Sequence, residues 1–355
     1  MLLFYGMLVI VALELMYRYQ LVDTYQPELV GFNDPSDLEE VSGRPTILVM
    51  GDSFTAGSSH YANRMNRLLP SHRVINSGVG GSGIIQASYM APGRFDRFEP
   101  DIFIYQVYIG NDLLDISYPV NWSELSVIRN IYWTVAQDLR SIGYLNFRMG
   151  NVFQGLKFAS VETGSRTENG HHEEQTDTDV TDVTDVTDQL IDTSDTFSPK
   201  RYTLRTKVYF KAEPELIENT VRLMGGRERD FVILLEKLGP LLDRCVSEQC
   251  RAYVVVIPHV CQVNQRYLND MIRLGAHFRD PEAMQAVDYP FITAIDEFLN
   301  RTGRERVQLI NPLEELSRHE TNGNHVYFQN DPHLNAYGQQ VLAEFLIGEL
   351  DLVKD

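Results

Sequence analysis

Cysteine is scarce: three in 355 residues cannot form a disulfide framework. Cys245 and Cys250 can pair in an oxidising compartment, which leaves Cys261 over. A zinc site from Cys245, Cys250, His259 and Cys261 does not follow a zinc-binding spacing, and His259 and Cys261 flank an apolar run that reads as a core strand. Positive charge is short as well, with 31 basic residues against 49 acids and a net charge of −18. That argues against nucleic acid, whose phosphates need a basic face, and against electrostatic adhesion to anionic lipid. What the chain does have is an ordinary hydrophobic share, 43%, enough to build one large core.

Long apolar runs are missing except at the N-terminus. Residues 2–13, LLFYGMLVIVAL, are apolar; Glu14 interrupts, and Leu15-Met16-Tyr17 resume before Arg18. This is about the shortest stretch that spans a bilayer, so residues 1–19 are expected to form an uncleaved membrane anchor. No basic segment precedes it and no A-x-A cleavage site follows, so a cleaved signal peptide fits poorly. Arg18 on the C-terminal flank runs against export under the positive-inside rule. Residues 20–45, with Pro27, Pro35 and Pro45, read as a tether.

From residue 46 to 355 a single α/β domain is expected. Apolar runs at Ile47–Met50, Arg73–Ile75, Asp101–Tyr108, Ala252–Ile257 and Val307–Ile310 have the length and composition of buried parallel strands. Helix-period stripes alternate with them: Phe231, Leu234, Leu238, Leu241, Cys245; Phe291, Ile295, Phe298, Leu299; Val341, Leu342, Phe345, Leu346. The alternation predicts a doubly wound, flavodoxin-like α/β/α sandwich with a parallel sheet of about five strands.

An insertion at about 113–230 breaks the rhythm. Leu125, Ile128, Tyr132, Val135, Leu139 and Ile142 predict one amphipathic helix in it. Val161–Ser198 holds eleven acids, one arginine and the run TDVTDVTDVTD. Such a stretch buries too little apolar surface to offset its ordering entropy, so a disordered acidic loop is expected, with His171 and His172 solvated. Its aspartates do not follow a calcium-loop pattern. Tyr118, Trp122 and Trp133 are more readily core than sugar-stacking residues.

In open α/β sheets chemistry collects at the carboxyl ends of the strands. After the first run comes Gly51-Asp52-Ser53-Phe54-Thr55, which starts a helix well but misses the G-x-S-x-G elbow, because Thr55 stands in place of the second glycine. After the second comes Asn76-Ser77-Gly78-Val79-Gly80-Gly81-Ser82-Gly83. It spells G-x-G-x-x-G but follows the wrong strand for a dinucleotide site, and it suits backbone N–H groups aimed at an anion. After the third comes Gly110-Asn111-Asp112, and near the C-terminus Asn330-Asp331-Pro332-His333.

Taken together these four blocks resemble the SGNH (GDSL-like) hydrolase superfamily from about Pro45 to the C-terminus. Gly51-Asp52-Ser53 matches its first block, Gly81 the glycine that ends its second, Gly110-Asn111-Asp112 the G-x-N-D of its third, and Asp331 and His333 the acid and base of its last. The acid stands two residues before the histidine, as in the alginate-acetylation branch, where much of the family has three, an offset that here falls on Asn330. The hydrophobic N-terminus, the tether and IPHVCQVN look like the membrane-anchored bacterial branch.

The resemblance implies Ser53 as nucleophile, His333 as base and Asp331 as its orienting acid. It implies an oxyanion hole from the N–H groups of Ser53 and Gly81 and the Asn111 amide, with no cofactor or metal. Asp52 then braces the turn. The expected activity is hydrolysis of an acyl ester, acetyl by preference, on a carbohydrate or other envelope substrate outside the cytoplasm. Transfer of the acyl group to a sugar hydroxyl and a non-catalytic anchored binding or scaffold protein are the alternatives.

Overall fold

All five apolar runs form strands. In the computed structural model, which describes residues 1–39, 43–117, 126–149, 196–301, 306–350 and 352, they are β1 (Thr46–Met50), β2 (Arg73–Asn76), β3 (Ile102–Tyr108), β4 (Arg251–Ile257) and β5 (Val307–Ile310). They make one parallel sheet in the order β2-β1-β3-β4-β5. Val49 pairs with Asn76 on one side and Ile104 on the other. Every residue of β1, β2 and β3 is buried, because helices cover the sheet. The arrangement fits a three-layer α/β/α architecture. The order reverses between β1 and β3, which opens a crevice at their carboxyl ends.

The helices are α1 (Leu2–Arg18), α2 (Gln26–Phe32), α3 (Pro35–Leu38), α4 (Tyr61–Leu68), α5 (Ile84–Phe98), α6 (Asp112–Ser117), α7 (Val127–Asp138), α8 (140–149), α9 (Leu204–Ala212), α10 (Leu216–Arg222), α11 (Arg227–Ser247), α12 (Val260–Val263), α13 (Gln265–Arg273), α14 (Pro290–Arg301), α15 (Leu313–Thr321) and α16 (Ala336–Glu349). The expected stripe on α11 is buried along its length, from Phe231 to Cys245, against α5 and the sheet. Helix α16 packs on α4, and the C-terminal block stands just ahead of it.

The N-terminal region differs from expectation. Helix α1 has 17 residues, about 26 Å at ~1.5 Å per residue, short of a hydrocarbon core of about 30 Å. Among the described residues no helix is long and apolar enough to cross a membrane. Side chains from Phe4 to Leu13 of α1 are exposed, whereas Glu14 and Tyr17 are buried. The Glu14 carboxylate accepts the Arg140 and Ser141 backbone N–H groups at 3.0 and 2.9 Å and so caps α8. The stretch read as a tether carries α2 and α3, and it is packed down. Tyr25 and Leu29 lie in the core, and Asn33 bonds the backbone of Asn76 in both directions, at 2.7 and 2.8 Å.

The insertion helix read as one is two, α7 and α8, because the chain breaks at Leu139 and restarts where Glu14 caps it. Its stripe is also not wholly inward, since Ile128 is 81% exposed. Trp133 is partly buried against the core. Tyr118, Trp122 and residues 161–195 of the acidic loop, with His171 and His172, lie outside the described residues.

A disulfide joins Cys245 at the end of α11 to Cys250 before β4, and Cys261 is a buried free thiol. The four-ligand zinc set is therefore not assembled. The bridge spans five residues, which in the chain-entropy model stabilises by about 2 kcal/mol. A Cys245→Ala/Cys250→Ala variant is accordingly expected to melt a few degrees lower than the native chain. A calorimetric scan that shows no difference would mean the bridge does not form in solution.

Candidate active site

The site begins where β1 ends. Gly51 has no room for a side chain: a Cβ there would lie 2.4 Å from Gln106 Oε1 and 2.5 Å from Thr55 Oγ1. The same Gln106 oxygen, carried on β3, accepts the Asp52 N–H at 3.2 Å and the Thr55 hydroxyl at 3.0 Å. Asp52 Oδ1 accepts the Phe54 N–H at 2.9 Å, and the Asp52 carbonyl accepts from Thr55 and Ala56. The turn is thus held from inside, and Ser53 emerges half-exposed. Asn76 ties the second block to the first: its amide donates to the Thr55 carbonyl at 2.9 Å, and its oxygen accepts the Gly78 N–H at 3.0 Å.

The C-terminal block comes to the same place from 280 residues away. Ser53 Oγ lies 2.7 Å from His333 Nε2. His333 Nδ1 is hydrogen-bonded to Asp331 Oδ1, which also accepts the His333 backbone N–H at 2.9 Å. With Nδ1–H donating to the carboxylate, Nε2 is left as the acceptor facing the serine hydroxyl. Phe54 lies against the imidazole at 4.8 Å between ring centres, and packs in turn at a tilt on Tyr108 at 4.2 Å. Asn330 points elsewhere: its side chain accepts the Ser198 N–H at 2.7 Å and donates to the Thr196 carbonyl at 3.0 Å. Asp331, and not Asn330, is therefore the side chain that meets His333.

The electrostatics follow from this packing. Burial pulls the His333 imidazole down, but the charge and hydrogen bond of Asp331 and the charge of Asp52 outweigh it, and the net shift is upward. Burial raises the Asp52 and Asp112 carboxyls, and Asp52 raises Asp112 further. Asp112 Oδ2 accepts the Tyr108 N–H at 2.9 Å, so this carboxyl serves the β3 turn.

The oxyanion candidates are placed as follows. The Ser53 and Gly81 backbone N–H groups have no acceptor among the described residues. Gly81 occupies a left-handed turn, φ 67°, that glycine adopts freely. Asn111 lines the cavity in front of Ser53, while its amide donates to Asp115 Oδ2. Gly81 is not among that cavity's lining residues. Comparison of the sequence with protein-family models and with curated proteins returns no match.

The cavity, about 60 Å³, opens on Ser53 and His333. At ~15 Å³ per water-sized group it holds about four, which is room for a short acyl group. Part of its wall comes from the insertion: Arg205, Tyr209, Phe210, Leu216 and Ile217 of α9 and α10. The sequence gives no motif for these residues, because spacing in an insertion does not say which face meets the sheet. His259, just past β4, lines the cavity too. The rule that pointed to Ser53 and Asn111, inspection of each strand's carboxyl end, also reaches it.

Proposed function

We propose that this protein is a serine esterase of the SGNH type that hydrolyses a short acyl ester, acetyl by preference, on a carbohydrate or other cell-envelope substrate. The observation that carries the reading is the 2.7 Å approach of Ser53 Oγ to His333 Nε2, with Asp331 on the other ring nitrogen. A serine hydroxyl is a weak nucleophile until an adjacent base accepts its proton. In the proposed cycle His333 Nε2 takes that proton as Oγ bonds to the acyl carbon. The carbonyl electrons move to oxygen, held by the N–H groups of Ser53 and Gly81 with Asn111 close by. His333 returns the proton to the departing alkoxide, leaving an acyl-serine. Water, deprotonated by the same imidazole, then releases the acid and restores Ser53.

The small cavity supports a short acyl group. The Cys245–Cys250 bridge supports an oxidising, extracytoplasmic location. The exposed apolar surface of α1 supports attachment to a membrane at the N-terminus.

Treatment with a fluorophosphonate tests the assignment. The expected result is one covalent adduct, mapped to Ser53 and absent after unfolding. A folded protein that stays unlabelled would move the anchored binding-protein reading to the front. An adduct combined with faster acyl transfer to oligosaccharide than to water would make the protein an O-acyltransferase on the same triad.

A further inference from the structure

His259 is a buried histidine that the proposed triad does not use. It stands at the carboxyl end of β4, is 2% exposed, and lines the cavity with Ser53 and His333. Its environment fixes its tautomer. The Cys261 backbone N–H donates to Nδ1 at 3.4 Å, and the Cys261 thiol sits 3.1 Å from the same nitrogen. A nitrogen that accepts a backbone N–H carries no proton, so the hydrogen of the neutral ring is on Nε2. Burial pushes the ring down to about 3, so it stays neutral through the physiological range. Nε2 has no partner among the described residues, although it belongs to a residue buried in the fold and facing a cavity. The ring is held in place. Tyr108 stacks on the ring at 6.1 Å and 23°, and the Gln262 side chain accepts the His259 backbone N–H at 2.9 Å. The Tyr108 hydroxyl, on the same cavity wall, is buried without a partner.

We propose that His259 is a substrate-contacting residue that donates from Nε2–H to an oxygen of the acyl ester bound beside Ser53. The assignment rests on the esterase reading and extends it. The apolar wall of Phe210, Leu216 and Ile217 takes the alkyl part of a short acyl group, and the fixed neutral imidazole takes its oxygen. A neutral donor suits an uncharged ester and offers no ion pair to a free carboxylate product.

The test compares p-nitrophenyl acetate kinetics of the full chain with those of His259→Leu and His259→Gln, each checked for its melting temperature. His259→Leu is expected to lose tenfold or more in kcat/KM. His259→Gln, which keeps an N–H donor, is expected to recover most of that loss. Equal rates for wild type and the leucine variant overturn the proposal, as do equally slow leucine and glutamine variants that melt normally. Wild type without Ser53-dependent hydrolysis overturns the esterase reading along with it, so the two failures read differently. Because His259 also caps α12, a leucine variant that does not fold is replaced by ¹⁵N NMR of the wild-type imidazole. There the Nε2–H resonance is expected to shift when a methylphosphonate adduct forms on Ser53, and an unmoved resonance overturns the proposal.

Discussion

Ser53→Ala is expected to reduce kcat for p-nitrophenyl acetate by about 10⁴-fold or more while leaving the melting temperature within about a degree of wild type. The two halves of this expectation come from separate observations. The side chain is half-exposed, and the hydrogen bond it makes is the one to His333, so its removal opens no buried cavity and orphans no buried group. In the proposed mechanism the rate loss is large because the serine, its base and the base's orienting acid work as a unit; without the hydroxyl the remaining parts have nothing to activate. The backbone donors at Ser53 and Gly81 would still hold a carbonyl oxygen, so a small residual rate over water is expected. A variant that turns over as fast as wild type would sink the esterase reading, because no other hydroxyl among the described residues is hydrogen-bonded to His333.

The strands were readable because parallel strands buried on both faces are continuous apolar runs, and each expected run agrees with its strand to within a residue at either end. The stripe on α11 was readable for a related reason: a long helix against a sheet buries one face along its whole length. Periodicity failed where the partner of a face is distant in sequence. It gives a stripe through Ile128 and Val135, but both are exposed among the described residues. It gives nothing for Asn33, whose bonds to Asn76 hold the supposed tether in place. At the site, Ser53 was legible as a short motif at the end of β1, and Asp331 and His333 as a short motif just ahead of the last helix. The wall from α9 and α10 was not, since it depends on how the insertion folds back. His259 was visible in sequence, but only as a residue flanking an apparent core strand in a zinc set that does not fit; what sets it apart is its place on the cavity wall with Ser53 and His333.

Asp331→Asn is expected to leave the fold intact, cut the plateau rate by about 10³- to 10⁴-fold and move the acid limb of the pH–rate profile to lower pH. The rate loss comes from the tautomer. In the proposed triad the carboxylate accepts Nδ1–H and so keeps Nε2 free to take the serine proton. An asparagine amide facing Nδ1 with its own N–H favours the opposite tautomer, in which Nε2 carries the proton and cannot act as base. The shift of the limb comes from the charge. In the wild type burial lowers the imidazole, yet Asp331 together with Asp52 carries it above the ordinary histidine value of about 6.5. Neutral imidazole, and with it kcat/KM, therefore accumulates only above that pH. Once the charge of Asp331 is gone, burial and the charge of Arg205 are opposed by the charge of Asp52 alone, and the limb falls. Stability should follow the same linkage. A raised histidine contributes stability that is fully present below its unfolded value near pH 6.5 and is lost as pH rises through its folded value. The wild type should accordingly lose stability on that interval relative to Asp331→Asn. Paired pH–rate and pH–melting series from pH 5 to 9 check both. A limb that stays in place in the variant would mean that another group, not the Asp331–His333 pair, supplies the base.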